Sequence, residues 1–346
     1  MGTMVYNLRE TATQVLASKM IKENIAMDLV HKPGYGITQH EETNVTTLRM
    51  MKVLPFTDSA RTLNASKNGG WFDGSNDGAI GTPKVKEYDL NLLYVYDKPV
   101  DLPSVQEDLC PVNVFEGAMK NIGQRKATEI NASTLAAQLV AKYNAAGKDK
   151  AWTGHSVVIG SDGDAYAAVQ SASTMLDDGD ADNGIQAFPF DEREIIMRPS
   201  FRATLLSGKG VLVGGSNYAQ SMLARGAVSP EARKEWGNMY CGEIDNIPCF
   251  IAPSALWNRA GDWVGTTAAF AATEAIVCAA SATDRGISGQ EYVKVIDSPQ
   301  GVGKRLQPLT RWGINVCYEK GIVNIVKNGT AAPTVDTLEV LAPGSR

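Results

Sequence analysis

The residues able to carry chemistry are few and poorly placed for it. The three histidines, His31, His40 and His155, stand at spacings that put no two on one face of a helix, so neither a histidine-ligated metal nor a histidine-centred acid–base pair has a local framework. The five cysteines, Cys110, Cys241, Cys249, Cys278 and Cys317, are odd in number, scattered and without CxxC spacing, a pattern of free thiols in a reducing compartment. No histidine lies near any of them in sequence, and a GxSxG nucleophile elbow is absent, which leaves only a triad assembled in space. Gly301-Val302-Gly303-Lys304-Arg305 comes nearest to a phosphate-binding loop but lacks the first glycine and the hydroxyl that would hold magnesium. The stretch 208–215 shares only its glycine content with a dinucleotide loop. Asp178-Gly179-Asp180-Ala181-Asp182 opens like a calcium loop, yet Asn183 replaces the tight-turn glycine and Pro189 the bidentate glutamate. A solvated turn capping a helix is expected there. No catalytic residue, cofactor or metal is assigned, and the chain is read as a non-enzyme.

One pair of side chains stands apart. Trp71 and Phe72 lie in a glycine-rich stretch, 64–83, that also holds Gly69, Gly70, Gly74, Gly78 and Gly81. Aromatics on such a tip suit an anchor for a pocket on a partner. The elements that must position them form a long hairpin from Thr47 to about Pro103. Tyr88, Leu90, Leu92, Tyr94 and Tyr96 alternate with Glu87, Asp89, Asn91 and Asp97, as a strand with one apolar face requires. The partner strand is Thr47 to Phe56. A two-stranded ribbon is marginal alone and calls for support from another chain, so Tyr88, Tyr94 and Tyr96 join Trp71 and Phe72 as expected assembly contacts.

Around the hairpin the periodicity is helical. Leu8, Ala12, Val15, Leu16, Ile21, Ile25 and Leu29 follow a capping box of Asn7 and Glu10 and predict an amphipathic N-terminal helix. Val112, Phe115, Met119, Ile122, Lys126, Ile130, Leu135, Leu139 and Tyr143 predict a spine helix ending at Ala146 and Gly147. Unbroken, it would run roughly 45–50 Å, more than a compact core needs. A shorter helix, Ala165 to Met175, starts after Asp164 as N-cap, and Pro199 opens another through Leu206. Strands are expected at Arg193–Met197 and Ile247–Ile251. Trp312–Tyr318 and Ile322–Val326 read as a closing β-hairpin, and the last twenty residues as a loosely held tail.

Composition agrees with a globular chain. Of 346 residues 44% are apolar and 21% charged, and 33 basic against 38 acidic groups leave a net charge of −5, which argues against gripping nucleic acid by bulk charge. The N-terminus shows no basic stretch followed by an apolar core, so no signal peptide is read there. The alanine-rich run Thr266–Thr283 carries Glu274 at its middle; a charge at bilayer depth costs about 2.5–3.5 kcal/mol, so a buried core element is expected instead of a membrane span. The segment Asp162–Glu194 holds nine acidic residues and one basic residue, Arg193.

The order of these parts resembles the major capsid protein of tailed bacteriophages, of the Hong Kong 97 type, over roughly residues 1 to 330. The most specific stretch is Ala165 to Leu206, where a helix running into Leu176-Asp177-Asp178 precedes Phe188-Pro189-Phe190-Asp191-Glu192-Arg193-Glu194-Ile195-Ile196-Met197-Arg198-Pro199. A second is Tyr240 to Pro253, around Gly242, Ile247 and Pro248. The resemblance implies an α+β fold with an N-terminal arm (1–44), an extended loop (45–102), a peripheral domain with the spine (103–159), an axial domain (160–289), returning peripheral strands (290–330) and a tail (331–346). It also implies a head shell of pentamers and hexamers enclosing double-stranded DNA without sequence-specific binding, assembled in the host cytoplasm and located in the virion. The partners implied are further copies of the chain, a separate scaffolding protein, a portal protein and, as an optional addition, a cement protein; no membrane is involved. A separate scaffold follows because the spine begins near residue 112, leaving no room for a built-in one. Lys67 and Asn68 sit at the loop tip, but no partner or acid is identified for a covalent cross-link. The acidic 162–194 stretch would face outward or repel packaged DNA. An encapsulin-like compartment and a soluble α/β enzyme are the alternatives.

Overall fold

The computed structural model describes residues 47–53, 85–103, 114–146, 156–159, 164–207, 212–213, 216–217, 239–264, 272–288, 293–297, 303–327 and 340. The expected N-terminal helix, the loop tip with Trp71 and Phe72, and the three histidines lie outside these residues.

The chain enters as an antiparallel ribbon of β1 (Thr47–Val53) and β2 (Val85–Asn91), paired from Thr47 opposite Asn91 to Val53 opposite Val85. Two short strands follow, β3 (Tyr94–Tyr96) and β4 (Val100–Pro103). The spine is α1 (Val114–Ala146), 33 residues and so about 50 Å long. Its first half is amphipathic, with Phe115, Met119 and Ile122 buried and Lys120, Asn121 and Gln124 exposed. From Ile130 to Ala136 every residue is buried. This stretch of the spine is therefore packed within its own subunit. The Ala, Ser and Thr side chains of that stretch are small enough for neighbours to close in from all sides. The Ser133 and Thr134 hydroxyls satisfy themselves by donating to the Ile130 carbonyl (2.9 and 2.8 Å).

The next elements are β5 (Ser156–Val158), α2 (Ala165–Asp177), β6 (Arg193–Met197), α3 (Pro199–Ser207), β7 (Leu212–Val213), β8 (Ser216–Asn217), β9 (Tyr240–Ile244), β10 (Ile247–Ile251) and α4 (Ser254–Val264). Asp164 caps α2 as expected, accepting from the Ala167 amide at 3.0 Å. β9 and β10 join through Asp245 and Asn246, both at positive φ (52° and 63°), the conformation a two-residue hairpin of type I′ demands and Asp and Asn tolerate. The Tyr166 hydroxyl reaches from α2 to the Asp245 carboxylate (3.0 and 3.2 Å) and pins that turn.

The last strands are β11 (Thr273–Ala279), β12 (Thr283–Ser288), β13 (Val293–Asp297), β14 (Gly303–Pro308), β15 (Thr310–Val316) and β16 (Ile322–Val326). The central sheet has the order β5-β16-β11-β6-β10-β9, so β5 and β16, from segments assigned to the peripheral part, pair into the same sheet as the axial strands. β6 and β16 are buried at every residue because helices cover both faces: Arg193 reaches Ser173 and Asp177 of α2, while Cys278, on the opposite face of β11, meets Gln138 of α1. Burial on two sides explains their unbroken apolar runs. β11 accounts for much of the alanine-rich run, and among the described residues no helix is long and apolar enough to cross a membrane.

The expected hairpin of Trp312–Tyr318 with Ile322–Val326 does not form. β15 pairs with β12 and β3, whereas β16 pairs with β11 and β5. β11–β12 and β15–β16 run side by side as one antiparallel ribbon that bends at two 3-10 turns, Ala280–Ala282 and Glu319–Gly321. The turn at Glu319–Gly321 redirects the chain into the next sheet instead of reversing it. The Cys317 and Tyr318 amides hold the corner by donating to the Ala282 carbonyl (2.8 and 3.3 Å). Gly321 is needed there: a Cβ would stand 2.7 Å from the Ala282 methyl and 2.9 Å from the Phe188 ring. Beyond this corner Val340, the one described residue of the 331–346 segment, packs partly buried against the core.

Candidate assembly surface at the ribbon root

Two small sheets, β12-β15-β3 and β13-β14-β4, carry the root of the ribbon. The single long strand expected from Tyr88 to Tyr96 breaks at Leu92 and Leu93, where the Leu93 amide turns back to the Asn91 carbonyl (3.1 Å). The chain crosses β15 there at a glycine. A Cβ on Gly313 would lie 2.2 Å from the Asn91 carbonyl oxygen, so only glycine lets the backbones approach this closely.

The alternation persists through the break, and it fixes which residues face outward. Leu90, Leu92 and Tyr96 are buried and Tyr94 is partly so. Tyr94 meets Trp263 of α4 edge-on at 4.9 Å and Trp312 of β15 at 6.0 Å, and the two tryptophans are themselves 6.0 Å apart. Such pairs add about 0.5–1.5 kcal/mol each beyond burial. The indole N–H groups are satisfied: Trp312 donates to the Ser133 hydroxyl (2.9 Å) and Trp263 to Glu129 (3.0 Å). Arg259 clamps the same Glu129 through Nε and a terminal nitrogen (2.9 and 2.7 Å), tying α4 to α1. Burial pushes both tyrosine hydroxyls above their ordinary pKa, and at Tyr96 the Arg125 guanidinium partly offsets this. Across the second sheet, Arg305 and Asp101 form a two-pronged ion pair (2.6 and 2.7 Å) that fastens β4 to β14.

Tyr96 is buried and Tyr94 partly buried within the subunit, where their parity turns them toward α1 and α4. Tyr88 sits in β2 opposite Met50, and Trp71 and Phe72 lie outside the described residues. The residues left facing solvent are those between the tyrosines: Leu93 is 74% exposed and Val95 47%. Val158 (52%) on the edge strand β5 and Phe190 (46%) are also exposed. The Arg193 guanidinium stacks over the Phe190 ring, 4.6 Å from its centre. A sequence signal for the first pair existed in the Leu92-Leu93 doublet, which places an apolar side chain on the otherwise polar face of Glu87, Asp89 and Asn91.

The acidic stretch carries less field than its composition suggests. Arg193 is buried, paired with Asp177, and bonded to the Phe188 carbonyl and Ser173. Asp180 is buried as well, accepting from Asn183 (2.6 Å) and paired with Lys320 (3.2 Å); hydrogen bonds and Lys320 hold its carboxyl below the ordinary range against the opposing effect of desolvation. The expected solvated turn is thus a structural clasp onto the 319–321 corner. Gly179 at φ 65° completes it. Burial pushes Glu194 up to about 8, so its carboxyl is mostly neutral at pH 7, accepting from the Cys278 thiol at 3.2 Å. Two of the nine acids, Asp180 and Glu194, are buried, and a third, Asp177, stays exposed while paired with Arg193. Among the described residues no three His, Cys, Asp or Glu side chains gather to hold a metal ion.

No protein-family model matches the chain, and no curated protein matches it in sequence. Solved structures do match in fold. The head structure of Helicobacter pylori bacteriophage KHP40 aligns with TM-score 0.53 at 11% identity, covering 89% of this chain and 91% of that one. The capsid of cyanophage P-SCSP1u aligns with TM-score 0.51 at 13% identity over 90% of each chain. The acid-stable capsid of Helicobacter pylori bacteriophage KHP30 aligns with TM-score 0.52 at 10% identity, covering 88% of this chain and 90% of that one. The α+β architecture of this chain, a spine helix across a central sheet with a ribbon rooted beside it, is the Hong Kong 97-type fold of these phage capsid proteins.

Proposed function

We propose that the chain is a major capsid protein that assembles with copies of itself, as pentamers and hexamers, into an icosahedral phage head enclosing double-stranded DNA. The observation that carries this reading is the likeness in fold to capsid chains over about nine-tenths of both partners. The surface supports it. A ribbon of seven residue pairs leaves the body at Asn91, and Leu93, Val95, Val158 and Phe190 present apolar area suited to neighbours. Closed shells arise when one patch meets a different patch on the next copy and symmetry closes the set.

In this reading the arm and extended loop reach neighbouring copies, the spine and the two three-stranded sheets form the peripheral domain, and the central sheet with α2 and α3 forms the axial one. Trp71, Phe72 and Tyr88 serve as loop contacts. A scaffolding protein guides closure, a portal protein occupies one vertex, and a cement protein is an optional addition. The role is structural, without a catalytic step, in the virion after assembly in the host cytoplasm. Electron microscopy of the expressed chain with its scaffolding partner tests this. Closed shells or capsomer rings are the expected result; a stable monomer under all assembly conditions refutes it. Shells purified with a protein cargo in place of DNA would point to a storage compartment.

A further inference from the structure

Two surface patches, one at each end of β15, are complementary in character. At the ribbon root, Leu93 and Val95 are the exposed apolar pair. Val95 stands opposite Arg311 in the β3–β15 register, so the two side chains share the outward face of that sheet. Arg311 is half-buried, and its Nε has no hydrogen-bond partner among the described residues. The acids on the flanking elements are taken, Glu129 of α1 by Arg259 and Asp101 of β4 by Arg305, and among the described residues none pairs with Arg311. This patch is an apolar pair beside an uncompensated cation.

The other patch is the 3-10 turn Phe190–Glu192, joined directly to the buried strand β6. Phe190 and Asp191 are exposed and Glu192 is half-buried. Neither carboxylate has a basic partner among the described residues; the cations beside the turn are committed elsewhere, Arg193 to Asp177 and Lys320 to Asp180. This patch is an exposed ring beside two uncompensated anions. The two patches cannot meet within one subunit. Tyr94, next to Leu93, packs on Trp312, and Phe188, two residues before Phe190, packs on Tyr318. The six residues of extended chain from Trp312 to Tyr318 hold these ends about 20 Å apart. Only a second copy of the chain can bring one patch to the other.

We propose that Phe190 of one copy seats on Leu93 and Val95 of the next, with Asp191 and Glu192 facing Arg311. Apolar area meets apolar area, and the opposed charges fix the register of the contact. The joint is heterologous: each copy gives its turn to one neighbour and its ribbon root to another, so the same contact repeats around a closed ring. It also braces the ribbon at the point where it leaves the body. The contact presupposes the proposed shell, of which it is one joint between subunits.

The test uses shells assembled from the full chain with photoreactive p-benzoylphenylalanine in place of Phe190, an exposed ring where a larger side chain needs no repacking. Ordinary and heavy-isotope-labelled chains are mixed in equal amounts before assembly and irradiation. Cross-links from position 190 to the peptide holding Leu93 and Val95, joining light to heavy ends at the statistical frequency, are the expected result. Links to other segments, links between like-labelled ends only, or no links from assembled shells overturn the proposal. In a companion experiment Arg311→Glu lowers shell yield at least fivefold with an unchanged melting temperature. The pair Asp191→Lys and Glu192→Lys, on an exposed turn, gives the same loss, and all three substitutions in one chain restore the yield. An undiminished yield in R311E, or no recovery in the folded triple variant, refutes the ion contact. Wild-type shells whose links fall elsewhere refute this joint and leave the capsid reading standing, whereas a chain that stays monomeric refutes the capsid reading and this joint with it.

Discussion

Replacing Gly313 by alanine isolates the geometry of the ribbon root. The added Cβ would stand 2.2 Å from the Asn91 carbonyl oxygen and 3.0 Å from its carbon, where an ordinary carbon–oxygen contact is about 3.4 Å, so something must move by about 1.2 Å. Both offending atoms are backbone, and no rotamer change relieves them. β15 cannot retreat, because it is bonded to β12 on one side, with Gly313 opposite Gly286, and to β3 on the other. The yielding part is the ribbon. If the chain pivots at Leu93, about 7 Å from the clash, the displacement corresponds to a rotation of about 10°, which carries the far end of the seven-pair ribbon, about 24 Å away, through roughly 4 Å. Such overpacking costs about 1–3 kcal/mol of stability, small beside the effect on any contact the loop makes. The assays are urea unfolding of the soluble chain and shell yield by electron microscopy. The expected outcome for G313A is a folded chain with a modestly lowered midpoint and a severe loss of closed shells. An unchanged unfolding midpoint together with shells of normal yield and diameter would show that the close approach is not what sets the ribbon's exit, and would falsify the argument.

Glu194→Gln should flatten the pH dependence of stability. The carboxyl is raised to about 8 from 4.5, with burial as the first cause, so the unfolded chain releases this proton before the folded one does. Stability falls as pH rises from 4.5 to 8, by about 3 kcal/mol between pH 5 and 7, and urea titrations of E194Q should lack that part of the slope; parallel curves refute it. Lys126 acts oppositely and higher up. Burial lowers its ammonium to about 7, so its contribution to stability grows between about pH 7 and 10.5, and Lys126→Met should abolish that rise. Among the described cysteines, Cys241, Cys249 and Cys278 are buried with thiols pushed up by desolvation, so native-state alkylation read by mass spectrometry should label Cys317 well before these three. Tyr94→Ala removes a ring from the Trp263 and Trp312 cluster and should cost about 2–4 kcal/mol in urea unfolding; a loss under 0.5 kcal/mol would return Tyr94 to the assembly surface.

Elements with strong local signals were legible from the chain alone. The spine ends at Ala146 where its periodicity ends, α2 starts at its Asp164 cap, and β6, α3 and β10 fall where apolar runs and Pro199 place them. Side-chain parity along 90–96 also survived, because a strand's alternation depends on backbone geometry that a single break does not erase. The absence of catalytic spacing and the order of elements led to the capsid fold without any close relative. Partnership between strands was not legible. Whether β15 and β16 make a hairpin or part into two sheets depends on a corner where Gly321, Ala282 and Phe188 meet from distant parts of the sequence, and pairing across 40 residues leaves no local trace. The same limit applied to the surface. Alternation separates two faces, yet only the positions of α1 and α4 decide that Tyr94 and Tyr96 turn inward and that Leu93 and Val95 are left to solvent. Charge was legible only in part for a related reason: composition counts Asp180 and Glu194 as surface acids, but packing buries both, while Asp177 stays exposed and is paired with Arg193.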